Sequence, residues 1–194
     1  EKSPEIAVVT NLAPNHLNVH KGMEEYVRAK ANIFLHQNVA QKVILNYDND
    51  LTRAFADQAP GKVVFFSRKD PQHGDVVLRD DVITVKEGAS ARAVLPVRDI
   101  AIPGVHNVEN YMAAVAAVDG LVDDEVIRTV AASFAGVEHR IELVRELHGV
   151  RYYNDSIASS PTRTIAGLRS FRQKVILIAG GKDKDIPYDA LGPE

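Results

Sequence analysis

Residues 6–36 read IAVVTNLAPNHLNVHKGMEEYVRAKANIFLH. They open on a short apolar run, Ile6 to Thr10, whose composition predicts a buried strand. The loop Asn11-Leu12-Ala13-Pro14-Asn15-His16 follows. From Gly22 to His36, Met23, Tyr26, Val27, Ile33 and Phe34 recur at helical spacing and predict an amphipathic helix. The same alternation continues. Val43 to Asn46 is a predicted strand with a turn at Asp48-Asn49-Asp50, then a short helix carries Leu51, Phe55 and Ala56, and Val63 to Phe66 is the next strand. Strands alternating with helices predict an α/β fold with mainly parallel sheets.

Between Asp75 and Ile102 the pattern shortens to β segments at Val76–Leu78, Val82–Val85, Ala93–Leu95 and Ile100–Ile102, and Pro103-Gly104 ends it. Helices are predicted over His106–Asp119 and Asp123–Phe134. Beyond a boundary near Gly136–His139, Ile141–Glu146 and Val150–Tyr153 read as strands joined by His148-Gly149. Ser160 before Pro161 marks a helix start. Val175 to Ile178 reads as a buried strand ended by Gly180-Gly181, and Pro187 as the opening of another helix.

Composition narrows the function classes. The 194 residues are 45% apolar and 25% charged, ordinary for a globular chain. Net charge is −3, so no general pull toward nucleic acid or an anionic membrane surface is expected. No apolar run approaches the roughly 20 residues that span a bilayer, and no signal peptide is visible. With no cysteine, disulfides, thiolate metal sites and a cysteine nucleophile are excluded. A reducing, cytoplasmic setting fits. The chain starts at Glu1 and stops at Glu194, inside a predicted helix, and reads as a fragment.

Several polar residues sit where chemistry gathers. Lys30 lies three or four residues from Tyr26, Val27, Ile33 and Phe34, inside the apolar stripe. Either its stem packs while the ammonium reaches water, or desolvation lowers its pKa. A neutral amine captures carbon dioxide as a carbamate, which is an anionic ligand suited to magnesium. His16 follows the first strand, on the side where open α/β sheets collect ligands. It is a metal ligand or a loop histidine bonded to backbone.

Asn107 and Asn110 share one helix face at i, i+3, and each amide offers a donor and an acceptor to a purine edge. Helix capping by Asn107 and a solvated Asn110 is the plainer reading. Arg140, at the presumed junction, is able to stack on a base, hold a phosphate or make an interdomain ion pair. Asp155 follows a strand, where a carboxylate accepts from ribose hydroxyls. Ser159 and Ser160 precede a helix N-terminus, and there turn and cap chemistry competes with anion binding. Gly180-Gly181-Lys182-Asp183-Lys184 is a glycine-led, basic loop, with a solvated loop as the alternative. Neither GxxxxGK[ST] nor GxGxxG occurs in the chain.

Taken in order, Asn15-His16, Tyr26–Lys30, His106-Asn107-Val108-Glu109-Asn110, His139-Arg140, Asn154-Asp155-Ser156 and Gly180–Lys184 resemble the motifs of the Mur ligase family. That family builds the peptide stem of peptidoglycan. The resemblance implies part of a central ATP-binding domain over residues 1–137, lacking its phosphate loop. The start of a Rossmann-like C-terminal ligase domain is implied over 138–194. Within the family, Asn154-Asp155-Ser156-Ile157-Ala158-Ser159 is similar to the branch that adds D-glutamate to UDP-MurNAc-L-Ala. Members adding other amino acids tend to continue from the aspartate with Tyr-Ala-His or Tyr-Asn-Ala. Two positions depart from the family pattern: Asn15, where aspartate is frequent, and Ile157, where lysine is frequent.

The implied cofactors are ATP and Mg2+, and the implied reaction is amide-bond formation through an acyl phosphate. His16 and a carbamylated Lys30 would serve the metal and catalysis. Asn107 and Asn110 would hold adenine, while Arg140 and Asp155 would hold the nucleotide from the hinge and the ribose side. Ser159 and Lys184 would contact D-glutamate. A cytoplasmic monomer is expected of the intact enzyme, and no ligase activity of this chain alone. The alternatives are another Mur enzyme, a folylpolyglutamate-type ligase, or a non-catalytic nucleotide-binding module on the same fold.

Overall fold

The computed structural model describes residues 2–13, 22–182 and 187–193. The chain divides into two compact units. The first comprises residues 1–101 and 107–133, and the second residues 102–106 and 134–194.

In the first unit, a six-stranded sheet runs in sequence order. Its strands are β1 (Ile6–Val9), β2 (Lys42–Asn46), β3 (Lys62–Ser67), β4 (Val76–Arg79), β5 (Val82–Glu87) and β6 (Ser90–Pro96). β1 to β4 pair in parallel. β4, β5 and β6 pair antiparallel, so the sheet is mixed where mainly parallel pairing was expected. The short links between β4, β5 and β6 explain this. A parallel return needs a crossover of a dozen or more residues, whereas only Asp80 and Asp81 join β4 to β5, both at positive φ.

Side-chain alternation gives this sheet two buried faces. Ala7, Val9, Val43 and Leu45 point to one core with Tyr26, Phe34 and Phe55. Ile44, Phe66, Val76, Ile83 and Leu95 point to the other, with Val108, Met112, Val115 and Ile127. Helix α1 (Met23–Ala31) serves the first core. Helices α3 (Val105–Val118) and α4 (Asp124–Ser133) serve the second. The short α2 (Asp50–Arg53) and the 3-10 turn Ala54–Gln58 place Phe55.

Polar clamps complete the unit. The Lys42 ammonium donates to the Ala116 carbonyl at 3.0 Å. Burial lowers its pKa, and nearby Asp119 opposes that shift. The Arg92 guanidinium is held by Glu87, Asp119 and Asp124, tying β6 to the α3–α4 turn. Hydrogen bonds from Arg92 to Asp124 and Glu87 raise its pKa further.

Gly61 is required by close approach. A Cβ there would lie 2.6 Å from the Gln41 carbonyl oxygen, which accepts the Lys62 N–H that starts the β2–β3 ladder. Gly61→Ala is therefore expected to destabilise the protein by about 1–3 kcal/mol. A thermal melt unchanged from wild type would contradict this.

The second unit contains the antiparallel hairpin β7 (Glu142–Leu147) and β8 (Val150–Asn154). His148 and Gly149, both at positive φ, form its turn. Helix α5 (Pro161–Leu168) follows. Four expectations fail. Ile100–Ile102 is not a strand, although the Ala101 N–H bonds the Ala131 carbonyl. Val175–Ile178 forms no strand: Ile176 and Ile178 are 95% and 94% exposed, and the described residues provide no strand beside them. Pro187 opens no α-helix, only a 3-10 turn at Asp189–Leu191 nearby. Finally, α1 ends at Ala31, well short of His36.

Candidate nucleotide and catalytic site

The first strand delivers a cleft. Val8, Val9, Thr10, Asn11 and Leu12 form one wall, and Tyr26, Ala29, Lys30 and Ile33 the other, around about 430 Å³. The Asn49 amide donates to the Leu12 carbonyl at 2.9 Å and pins the loop where it leaves the sheet. Lys30 stands at this cleft, its ammonium 5.4 Å from the centre of the Tyr26 ring. Tyr26 is buried, whereas Lys30 is exposed.

Of the two readings of Lys30, its exposure favours the one in which the ammonium reaches water. Because the helix stops at Ala31, Phe34 folds into the core from a turn instead of stacking beside Lys30 on a helical face. The ammonium lies over the Tyr26 ring, and Lys30 lines the cleft. His16 and Lys184 lie outside the described residues. Among the described residues, no group of three or more histidine, cysteine or carboxylate side chains is arranged to hold a metal.

Helix α3 brings together the two amides that the spacing predicted. Asn110 Nδ2 donates to Asn107 Oδ1 at 3.3 Å. Asn107 is buried and Asn110 exposed, so one amide braces the other while Asn110 keeps acceptor capacity for a ligand. This donor–acceptor set fits a purine edge. On the same helix the Tyr111 hydroxyl is buried without a hydrogen-bond partner among the described residues, and burial raises its pKa.

The strand ends beside α3 carry a polar network that the sequence reading missed. Asp48 Oδ1 accepts from Ser67 Oγ at 2.5 Å. Its Oδ2 accepts from the Arg68 and Lys69 N–H groups at 2.9 and 3.1 Å. Arg68 Nε then donates to Glu109 Oε1 at 2.7 Å. Asp48 reads from sequence as a turn residue, and nothing local links Arg68 to Glu109.

In the second unit, Asp155 Oδ1 accepts from the Ile141 N–H at 3.1 Å. The aspartate thus joins the end of β8 to the backbone next to Arg140. Its other oxygen leaves no room for a side chain at Gly167, where a Cβ would lie 2.8 Å away. Asn154 bonds the His139 ring at 2.8 Å. Arg140 is exposed, between His139 and Ile141 at positive φ. Ser159 is exposed too, its N–H bonded to the Ile157 carbonyl. Ser160 is the N-cap of α5 by position, with Pro161 after it, but its side chain makes no capping bond.

Known proteins supply the context. Residues 1–118 match the Mur ligase middle domain family. The UDP-N-acetylmuramoylalanine–D-glutamate ligase of Acetivibrio thermocellus is 62% identical over 192 residues, covering 99% of this chain and 41% of that protein. The enzyme of the same name from Ruminiclostridium cellulolyticum is 55% identical over 189 residues, covering 97% and 41%. The chain thus spans about two fifths of these relatives. Among solved structures, MurF from Acinetobacter baumannii superposes with a TM-score of 0.71 at 23% identity, covering 89% of this chain and 38% of that one. MurF from Thermotoga maritima in complex with ADP gives 0.66 at 22% identity, covering 89% and 40%. These two likenesses concern the fold. A match to the Mur ligase middle domain over residues 1–118, more than half of the chain, means that the chain belongs to the Mur ligase family.

Proposed function

We propose that the whole protein joins D-glutamate to the alanyl carboxylate of UDP-MurNAc-L-Ala, with ATP and Mg2+, in peptidoglycan precursor synthesis. One observation carries this reading: identity of 62% over 192 residues to a relative named for that reaction. The matched span covers the stretch Asn154–Ser159, which resembles the D-glutamate-adding branch. The proposed compartment is the cytoplasm. Among the described residues, no helix is long and apolar enough to cross a membrane.

ATP supplies the activation of the carboxylate as an acyl phosphate, and the protein's task is positioning and charge compensation. Asn107 and Asn110 hold the adenine edge. Asp155 orients the ribose, and Arg140 holds the nucleotide through its planar guanidinium. Ser159 and Lys184 contact the incoming amino acid. Lys30, once its ammonium has lost one proton and a second has left as carbon dioxide adds at Nζ, becomes an anionic oxygen ligand at the cleft, with His16 as its companion. Lys30 is exposed at the cleft, so carbon dioxide reaches Nζ once the amine is neutral, and Nζ lies 5.4 Å from the centre of the Tyr26 ring.

The test is ADP release by the full-length protein with UDP-MurNAc-L-Ala and, separately, D-glutamate, L-glutamate, L-lysine and meso-diaminopimelate. Turnover with D-glutamate alone is expected. Turnover with a different amino acid overturns the specificity, and none with any overturns the ligase reading. The 194-residue chain by itself, which contains no GxxxxGK[ST] sequence, is expected to release no ADP under the same conditions.

A further inference from the structure

The sheet contacts of α3 are largely apolar and small. Val108, Met112, Ala113, Val115 and Ala116 form its buried face, with Asn107 buried beside them at the N-terminal end. Such a face fixes depth through close packing, but alanines are smooth, and apolar contact is non-directional. Rotation about the helix axis is better defined by directional contacts near its ends. The Lys42 bond to the Ala116 carbonyl supplies one toward the C-terminal end. Arg68 to Glu109, at 2.7 Å, supplies one in the N-terminal half, between Asn107 and Asn110 in sequence.

The Arg68 end of that contact is itself held. Asp48 takes the Arg68 and Lys69 N–H groups on one oxygen and the fully buried Ser67 hydroxyl on the other. The guanidinium therefore starts from a backbone locked to the end of β3. Both side chains are mostly buried, at 29% and 28% exposed, so solvent screens the pair less than an ordinary surface ion pair.

We infer that Arg68 and Glu109 are positioning residues for adenine recognition: the pair sets the rotation of α3 that presents the Asn107–Asn110 amides to the base. This rests on the proposed nucleotide role of those amides. Neither Arg68 nor Glu109 need touch the nucleotide.

The experiment is titration calorimetry of the full-length protein with ADP and with GDP, for wild type, Arg68→Met, Glu109→Gln, the double variant and Asn107→Ala. Each single change at the pair is expected to weaken ADP binding about five- to tenfold, and the double variant no more than either single, as for two residues acting through one contact. The preference for ADP over GDP falls by a similar factor, a readout that simple loss of stability does not move. Glu109→Gln keeps the shape but removes the charge that strengthens the contact, so a folded variant is available should Arg68→Met not fold. Normal ADP affinity and base preference in Glu109→Gln and Arg68→Met, with binding weakened in Asn107→Ala, overturns the positioning role alone. Normal binding in Asn107→Ala overturns the nucleotide reading of α3 and this role with it.

Discussion

Lys30→Ala in the full-length protein is expected to lower the rate of ADP release about a thousandfold or more while leaving the melting temperature nearly unchanged. The two halves of this expectation come from different observations. Lys30 is exposed, and its visible packing is the 5.4 Å approach to the Tyr26 ring. An exposed cation–π contact is worth about 0.5–1 kcal/mol, so little stability is at stake. Its position at the cleft beside the end of β1 is where open α/β sheets place ligands. If a carbamate on this lysine carries the negative charge that the reaction needs, a small carboxylate diffusing into the space left by alanine restores part of it. Partial recovery with added acetate or formate is the expected signature. Activity within a few fold of wild type, or a loss matched by unfolding, would defeat the assignment.

Lys30 also shows where sequence legibility ended. Its position on the site helix was readable; its environment was not. The burial argument required the helix to continue to Phe34, and α1 stops at Ala31. No proline or glycine marks that stop, so the periodicity ran on past the real end. By contrast, α3 and α4 lie within a residue of their predicted bounds, because Pro103-Gly104 and Gly120 punctuate the chain there. The hairpin was legible for the same local reason, His148-Gly149 being suited to its turn.

Non-local facts were the ones that escaped. Val175–Ile178 has the composition of a buried strand, yet composition reports a tendency to be covered and not what does the covering. Without strands beside it among the described residues, Ile176 and Ile178 stay open. The Arg68–Glu109 contact joins positions 41 residues apart, and no spacing rule reaches that far. The six chemical motifs were legible as an ordered set, although each alone had a plainer reading. The Asp155 carboxylate already accepts the Ile141 N–H, a long-range bond that neither the turn nor the ribose reading of that aspartate foresaw. A role at the ribose therefore falls to its remaining acceptor sites.

Phe66→Ala is expected to cost about 3–5 kcal/mol, the largest stability loss among the changes considered. Phe66 is 1% exposed and belongs to the core between the sheet and helices α3 and α4. Its neighbour Phe65 faces the opposite core and is only partly buried, with its ring edge-on to Tyr47 at 5.2 Å. Phe65→Ala should cost less, because part of the vacated space opens to water instead of leaving a cavity. The comparison tests the two-faced sheet more sharply than either substitution alone. Adjacent residues of identical chemistry differ only in the face to which the pleat directs them. Urea midpoints of the two variants are expected to fall in that order, with similar slopes. Equal losses would mean that the two cores are not separated as the alternation implies, and a larger loss for Phe65 would reverse the assignment of the more tightly closed face. The Phe66 variant also bears on the nucleotide site. The core that loses the ring is the one against which α3 packs, so a loosened α3 should weaken ADP binding in Phe66→Ala and spare it in Phe65→Ala.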